Sequence, residues 1–320
     1  MTQIQTVLGP KPLARLGRTL VHEHVLVGFP GWFIDNRQPK FVRDEALTRA
    51  IAAFEQLKDY GVDTVVDPCP ADLGRDVEFI AEVSQKSGVD LICATGVYYE
   101  AAGQPYTLGH MELEEVTDIF IREIEEGVGD SGIKPGIIKI ATGEGQVTEY
   151  ERRMLTAAAR AAKATGLPVL SHTENCTCGH DQIDIVTGEG VAAHNLLVGH
   201  SDGTEDSAYQ ESLAERGVFV GFDRFGIEIF VPDEVRMTCF KNLVDKGYRE
   251  QLMMSQDYVN CWKGGIVGMP PGTKAEDVLP NWRMTHIFER IIPALKSRGM
   301  TDEDFDVILT QNPARFFGLA

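Results

Sequence analysis

The strongest constraint on the fold is an alternation that runs the length of the chain without a break. Short, nearly continuous apolar runs recur at residues 19–24, 62–68, 91–96, 136–142, 168–173, 196–201, 218–223 and 252–257. Runs of this kind suit parallel strands covered on both faces. Between them lie segments whose apolar residues fall three or four apart. In 43–60 these are Leu47, Ile51, Phe54 and Leu57, with Gly61 as the stop. Further helices are expected at 75–87, 112–127, 149–165, 181–190, 205–216, 233–246 and 283–298. The tail, 302–319, reads as more helix, with Asn312-Pro313 as an N-cap and first-turn pair. Eight strands, each followed by a helix or a long connection, predict an α/β fold of the (β/α)8 TIM-barrel type. A doubly wound open sheet is the competing architecture, but no G-x-G-x-x-G follows the first strand.

No Pro/Gly-rich linker or compositional break divides the 320 residues, so 1–320 are expected to form a single domain. The formal charge of −18 disfavours nucleic acid and anionic membrane surfaces as partners. No apolar run approaches the roughly 18 residues of a membrane span, and residues 1–10 lack the layout of a signal peptide. The six cysteines are too sparse for a disulfide framework and are expected to be free thiols in a reducing cytoplasm.

Barrels of this type carry their sites at the C-terminal strand ends. The first run ends Thr-Leu-Val-His-Glu-His, and residues i and i+2 of a strand face one side, which places His22 beside His24. Two imidazoles so placed can share a metal ion, although one His packing and the other solvated is the plainer reading of so short a motif. Later runs end in or near His172, His200 and Asp257, and the fourth contains Lys139. Four of the eight histidines thus fall at strand C-termini, whereas a chance scatter would also fill the helices and the opposite barrel end. Lys139 lies between Ile138 and Ile140, where an unpaired ammonium would cost several kcal/mol. Either it reaches a carboxylate across the barrel, or its pKa is depressed. His110, His180 and His194 read as capping or solvated residues, and Cys176 and Cys178 as neighbours of the site. Trp262 and Met269, in the long loop 258–280, read as an apolar wall or as packing on the barrel rim.

His22-Glu23-His24, the 136–145 segment with Lys139, Ser171-His172-Thr173, Gly199-His200-Ser201-Asp202 and the strand end at Asp257 resemble the phosphotriesterase branch of the amidohydrolase superfamily. The resemblance runs in order from the first strand to Phe317. Within the branch, Thr95-Gly96-Val97-Tyr98 and Gly221-Phe222-Asp223-Arg224-Phe225-Gly226 resemble the phosphotriesterase-like lactonases. It implies two divalent transition metals, zinc first, with iron, cobalt or manganese as alternatives. His22, His24 and Asp257 would hold the more buried metal, His172 and His200 the more exposed one. Lys139, carboxylated by CO2, would bridge them together with a hydroxide that serves as nucleophile. Asp67 and Asp223 are left as supporting hydrogen-bond partners. Asp257 would accept a proton, Tyr98 (or its neighbour Tyr99) would steady the hydroxide or the departing alkoxide, and Arg224 would hold the loop or the ring oxygen. The implied substrates are lactones, in particular the N-acyl homoserine lactones of quorum signalling, with phosphotriester hydrolysis as a side activity. In phosphotriesterases proper a His replaces Arg224 and a long helical loop follows, whereas 225–233 is short here. A primary phosphotriester or carboxylic-ester hydrolase is the runner-up, and a non-catalytic binding barrel the third reading. A homodimer is also implied, with Phe29, Trp32 and Phe33 as a candidate contact.

Overall fold

The computed structural model describes residues 3–318. Its strands are β1 (Gln3–Thr6), β2 (Gly9–Pro12), β3 (Arg18–Leu20), β4 (His24–Val27), β5 (Val62–Asp67), β6 (Asp90–Gly96), β7 (Ile137–Thr142), β8 (Val169–Thr173), β9 (Leu196–Gly199), β10 (Phe219–Phe222), β11 (Leu252–Met254) and β12 (Val259–Trp262). Eight form one sheet in the order β11-β10-β9-β8-β7-β6-β5-β3, with every adjacent pair parallel. Helices cover its outer face, among them Arg43–Lys58, Val77–Ser87, Leu113–Glu126, Glu149–Thr165, Gly179–Gly188, Ser207–Ala214 and Asp233–Asp245. The architecture is the expected (β/α)8 barrel. Its outer core lies between sheet and helices, where Phe54, Phe79 and Phe240 are fully buried. Each such side chain contributes roughly 1.5–3 kcal/mol of burial. A second cluster plugs the N-terminal end: Ile4, Leu13, Leu16, Phe316 and Phe317 pack beneath inward-facing Val66, Ile92, Leu170 and Leu197.

The first and last strands differ from expectation. The runs expected at 19–24 and 252–257 stop early, at Leu20 and Met254, and each chain segment resumes as a second strand that reaches into an expected loop, with β4 pairing β12 as a separate parallel ribbon above the β3–β11 seam. The cause is a side chain. Glu23 is fully buried, and its carboxylate accepts the backbone N–H groups of Gln256 (2.8 Å) and Tyr258 (2.9 Å), where a continuous ladder would place carbonyls. The seam is closed by single bonds: His22 N–H to Ser255 Oγ (3.0 Å), Asp257 N–H to His22 O (3.0 Å) and His24 N–H to Tyr258 O (2.8 Å). His22 therefore lies outside any strand, so the alternation argument does not apply to it, yet the His22 and His24 ring centroids are 5.4 Å apart.

The tail also departs from the expected cap. Asn312 lies inside continuous helix, after a wide π-type turn at Val307–Gln311, and its amide donates to Leu252 O (2.6 Å) and Arg249 O (2.9 Å). A proline has no N–H and crowds the carbonyl one turn back, and a widened turn relieves that clash. The same device precedes Pro293, where Ile287–Ile291 forms the wide turn.

Candidate active site

The strand ends surround a cavity of about 300 Å³ lined by His22, His24, Lys139, His172, His200 and Asp257, with Tyr98, Arg224, Trp262 and Met269 in its walls. Every site residue expected from the sequence is thus brought to one cavity. One ligand-type atom each of His22, His200 and Asp257 lies within 4.8 Å of the other two. Asp257 Oδ1 is 3.2 Å from His24 Nε2 and 3.6 Å from His22 Nε2, and its Oδ2 is 3.8 Å from His200 Nε2. Lys139 Nζ is 3.2 Å from His22 Nε2. The Tyr98 hydroxyl lies 3.3 Å from His172 Nδ1, whereas Tyr99 stacks its ring on the same imidazole.

Local backbone explains the convergence. Lys139 sits mid-strand in β7 opposite Gly96, whose φ of +108° and lack of Cβ let it abut the Lys139 carbonyl; a Cβ there would lie 1.9 Å from that oxygen. His200 (φ 59°) and Asp257 (φ 52°) both adopt the left-handed conformation just past a strand end. Non-glycine residues hold it at a cost of about 1–3 kcal/mol, commonly where a functional group must be aimed. Asp223 holds His200 in place by accepting both its backbone N–H (2.8 Å) and its Nδ1–H (2.9 Å).

Each imidazole is braced from behind. Asp223 also accepts from His22 Nδ1 (2.7 Å), so one buried carboxylate turns the Nε2 atoms of His22 and His200 toward the cavity. His172 directs Nε2 to Glu174 (3.0 Å), leaving Nδ1 for the site. His24 Nδ1 is 3.4 Å from Asp67, with Cys69 beside them; this second His/Asp/Cys trio is the rear support of His24. Cys176 packs its thiol on the His200 carbonyl (3.2 Å).

Burial sets the direction for three of the four imidazoles and for Lys139, whereas at His24 the contacts with Asp257 and Asp67 outweigh it and raise the ring well above its usual value. Burial lowers His22 and His172 to about 4 and His200 well below its usual value, so these rings are neutral near pH 7. Burial also lowers Lys139 to about 8, against the opposing pull of Asp257 and Asp223. Among the described residues no carboxylate comes within ion-pair distance of Lys139 Nζ, so the expectation that it reaches an acid across the barrel is not met. Burial raises the Tyr98 hydroxyl well above its usual value and keeps it a proton donor. Arg224 Nε bonds Asp257 Oδ2 at 3.1 Å.

Glu23, Glu174 and the buried His286–Asp233 pair (2.6 Å) carry structural tasks at the site that the sequence reading did not assign. An acid inside the His-x-His motif was a visible signal for Glu23. No spacing pointed to His286.

The barrel and its strand-end His/Lys/Asp cluster define the class of metal-dependent barrel hydrolases. The model of the Phosphotriesterase family matches residues 2–317, and the chain belongs to that family. It is 34% identical to a phosphotriesterase homology protein of Mycobacterium tuberculosis, over 99% of this chain and 98% of the relative. It is 33% identical to an aryldialkylphosphatase of Saccharolobus solfataricus, over 94% and 95%. A solved PTE-like lactonase of Deinococcus radiodurans, in a multiply substituted form, superposes with a TM-score of 0.93 at 34% identity, covering 98% of this chain and all of that one. The resemblance to phosphotriesterase-like lactonases is borne out, and the chain is a hydrolase. Among the described residues no helix is long and apolar enough to cross a membrane.

Proposed function

We propose that this chain is a binuclear-metal lactonase, opening N-acyl homoserine lactones with phosphotriester hydrolysis as a secondary activity. The observation that carries the reading is the composition of the cavity. A braced polar cluster meets a wall of Val27, Phe29, Ile227, Trp262, Ile266 and Leu279, which suits a polar ring joined to an aliphatic tail. The loop after β10 contains no helix and delivers Arg224 straight to Asp257, as the lactonase resemblance implies.

The donor set fits two transition metals. Four imidazoles, three of them held neutral by burial and each with a braced rear nitrogen, surround one carboxylate. His22, His24 and Asp257 would hold one ion, His172 and His200 the other. Lys139 would bridge as a carbamate, formed when its neutral amine adds to CO2 and releases a proton. A buried amine without a counter-ion supports that role. Bound metals would supply Lewis acidity, polarising the ester carbonyl and acidifying water.

The chain's own groups do the rest. Asp257, kept ionised by its histidine and Arg224 contacts against the opposing effect of burial, accepts the proton of the attacking water at a carboxylate oxygen. Arg224 orients that carboxylate. Tyr98 donates from its hydroxyl to the leaving ring oxygen. The apolar wall excludes bulk water from the acyl side. Phe33, 73% exposed, supports the first loop as a homodimer contact, while Phe29 is committed to the cavity, where it stacks on Trp262.

The test is kcat/KM on a lactone series, an aryl ester and a p-nitrophenyl phosphotriester, for the unsubstituted enzyme and Tyr98→Phe. Lactones are expected to lead. Tyr98→Phe is expected to approach the 10²–10³-fold loss of a hydrogen bond to developing charge on lactones, with a smaller loss on the phosphotriester, whose leaving group is already stable as an anion. The Saccharolobus relative favours a second reading, a primary phosphotriesterase. A leading phosphotriester rate with equal Tyr98→Phe losses on both substrates would establish it.

A further inference from the structure

The ten residues 223–232 connect β10 to the Asp233–Asp245 helix and carry both Arg224 and the apolar lip Ile227, Ile229 and Phe230. A connection of this length without regular structure ordinarily samples many conformations. Here, however, four of its backbone groups are tied to three buried charged side chains. Arg224 N–H donates to Asp202 Oδ2 (3.0 Å), and Gly226 N–H to Asp233 Oδ1 (2.9 Å). Arg236 donates to the Ile227 carbonyl through Nη2 (3.2 Å) and to the Val231 carbonyl through Nη1. The three anchors join one another. Arg236 Nε forms an ion pair with Asp202 (3.1 Å), Nη1 lies 3.4 Å from Asp233, and Asp233 Oδ2 meets His286 Nε2 at 2.6 Å. Arg236 and Asp202 are fully buried.

Buried ion networks seldom add stability over apolar packing of the same volume; their best-attested use is to select one arrangement among several. A planar guanidinium is suited to that use, because its fork reaches two carbonyls and two carboxylates at once, which an ammonium cannot do. We propose that Arg236, seated between Asp202 and Asp233, is the positioning residue that sets the apolar lip 227–231 of this loop, beyond the Arg224 that Asp202 holds, and with it the enzyme's discrimination among acyl chains. The clause about acyl chains rests on the lactonase reading above; the clause about the loop does not.

Arg236→Lys in the metal-loaded enzyme is the test, with Asp233→Ala as a second variant that removes the oxygen shared by the Gly226 N–H and Arg236. Two readouts are taken together. The first is chymotrypsin cleavage after Phe230, 65% exposed, well below the unfolding temperature. The second is KM and kcat on γ-butyrolactone, which has no acyl chain, and on N-decanoyl homoserine lactone, with metal content measured in parallel. Arg236→Lys is expected to speed cleavage at Phe230 alone, to leave metal content and γ-butyrolactone turnover in place, and to raise KM for the long-chain lactone on the order of tenfold to a hundredfold, the range for a displaced positioning element. If Arg236→Lys fails to fold, Asp233→Ala is read by the same criteria. Unchanged cleavage and unchanged KM in the folded variant overturn the proposal, as do equal losses on both lactones. Faster cleavage at Phe230 with no lactone turned over by either enzyme upholds the clamp and overturns the lactonase reading instead.

Discussion

The two sides of the cavity are built on opposite principles. On the polar side each imidazole is held at a second atom: His22 and His200 share Asp223, His172 has Glu174, and His24 has Asp67. All of these groups but the half-buried Glu174 are buried, and the backbone is bent into unfavourable φ at His200 and Asp257 to aim them. On the apolar side the lip is open, with Ile229 58%, Phe230 65% and Val267 66% exposed. The polar side admits little change because its imidazoles are oriented by specific carboxylates. The apolar side offers area and little geometry, so exchanges of size and shape there alter which substrate fits while leaving the chemistry in place.

The comparison breaks most sharply at Lys139. If Lys139 has the proposed bridging role, Lys139→Ala is expected to lose bound metal and reduce turnover to background, with short carboxylic acids such as formate or acetate partly restoring both by filling the space its side chain leaves. Elemental analysis and rates on one lactone check it. Full metal content with full rate in the variant would remove the bridging role and leave the polar side without its centre.

A smaller effect is expected one layer out. Asp223→Asn keeps shape and one acceptor oxygen but offers an NH2 toward one of two imidazole N–H groups, His22 or His200. Loss of such an orienting partner typically costs 10–100-fold in metal affinity, and competition with a chelator would measure it. If affinity is unmoved while the protein melts earlier, Asp223 serves the fold and not the donors.

The two sides were also unequally legible in the sequence. His172, His200 and Asp257 could be placed because each ends an apolar run, and strand ends in a parallel barrel share one face. Lys139 was visible because a cation between two isoleucines in a buried strand needs an explanation. The helix Glu149–Thr165 lies where its period put it, and the structure adds a Thr148/Glu151 capping box at its start. The break in the first strand was not legible, because it depends on Glu23 replacing ladder carbonyls of a segment more than 230 residues away. The clamp behind the substrate loop was hidden for the same reason: Asp202 and His286 lie far in sequence from the helix that carries Asp233 and Arg236, and the four acquire meaning only in contact. Local periodicity records which face of an element is buried and carries no record of which distant polar atom will meet it there. Trp262 lies between these cases, placed correctly in a cavity wall although β12, the strand that carries it, was expected as loop.

Trp262 therefore gives the mildest and most selective test of the apolar side. It is half-buried, stacks on Phe29 with ring centroids 6.4 Å apart and planes within 12°, and packs against no metal-type donor among the described ring contacts. Truncating it removes apolar contact from a substrate tail without touching the braced imidazoles. Partial loss of an aromatic wall is worth about 1.5 kcal/mol at the low end of side-chain burial, or roughly tenfold in an equilibrium constant. Trp262→Ala is accordingly expected to raise KM for a long-chain lactone by about that factor, with the increase shrinking as the chain shortens and vanishing for γ-butyrolactone. Because ground-state and transition-state contacts with a tail are alike, kcat is expected to change little. Steady-state kinetics on an even-numbered acyl series, with metal content held constant, gives the answer directly. A KM increase independent of chain length would mean that Trp262 supports Phe29 and the first loop and does not contact the tail, and the division between a fixed polar side and an adjustable apolar side would have to be drawn elsewhere in the cavity.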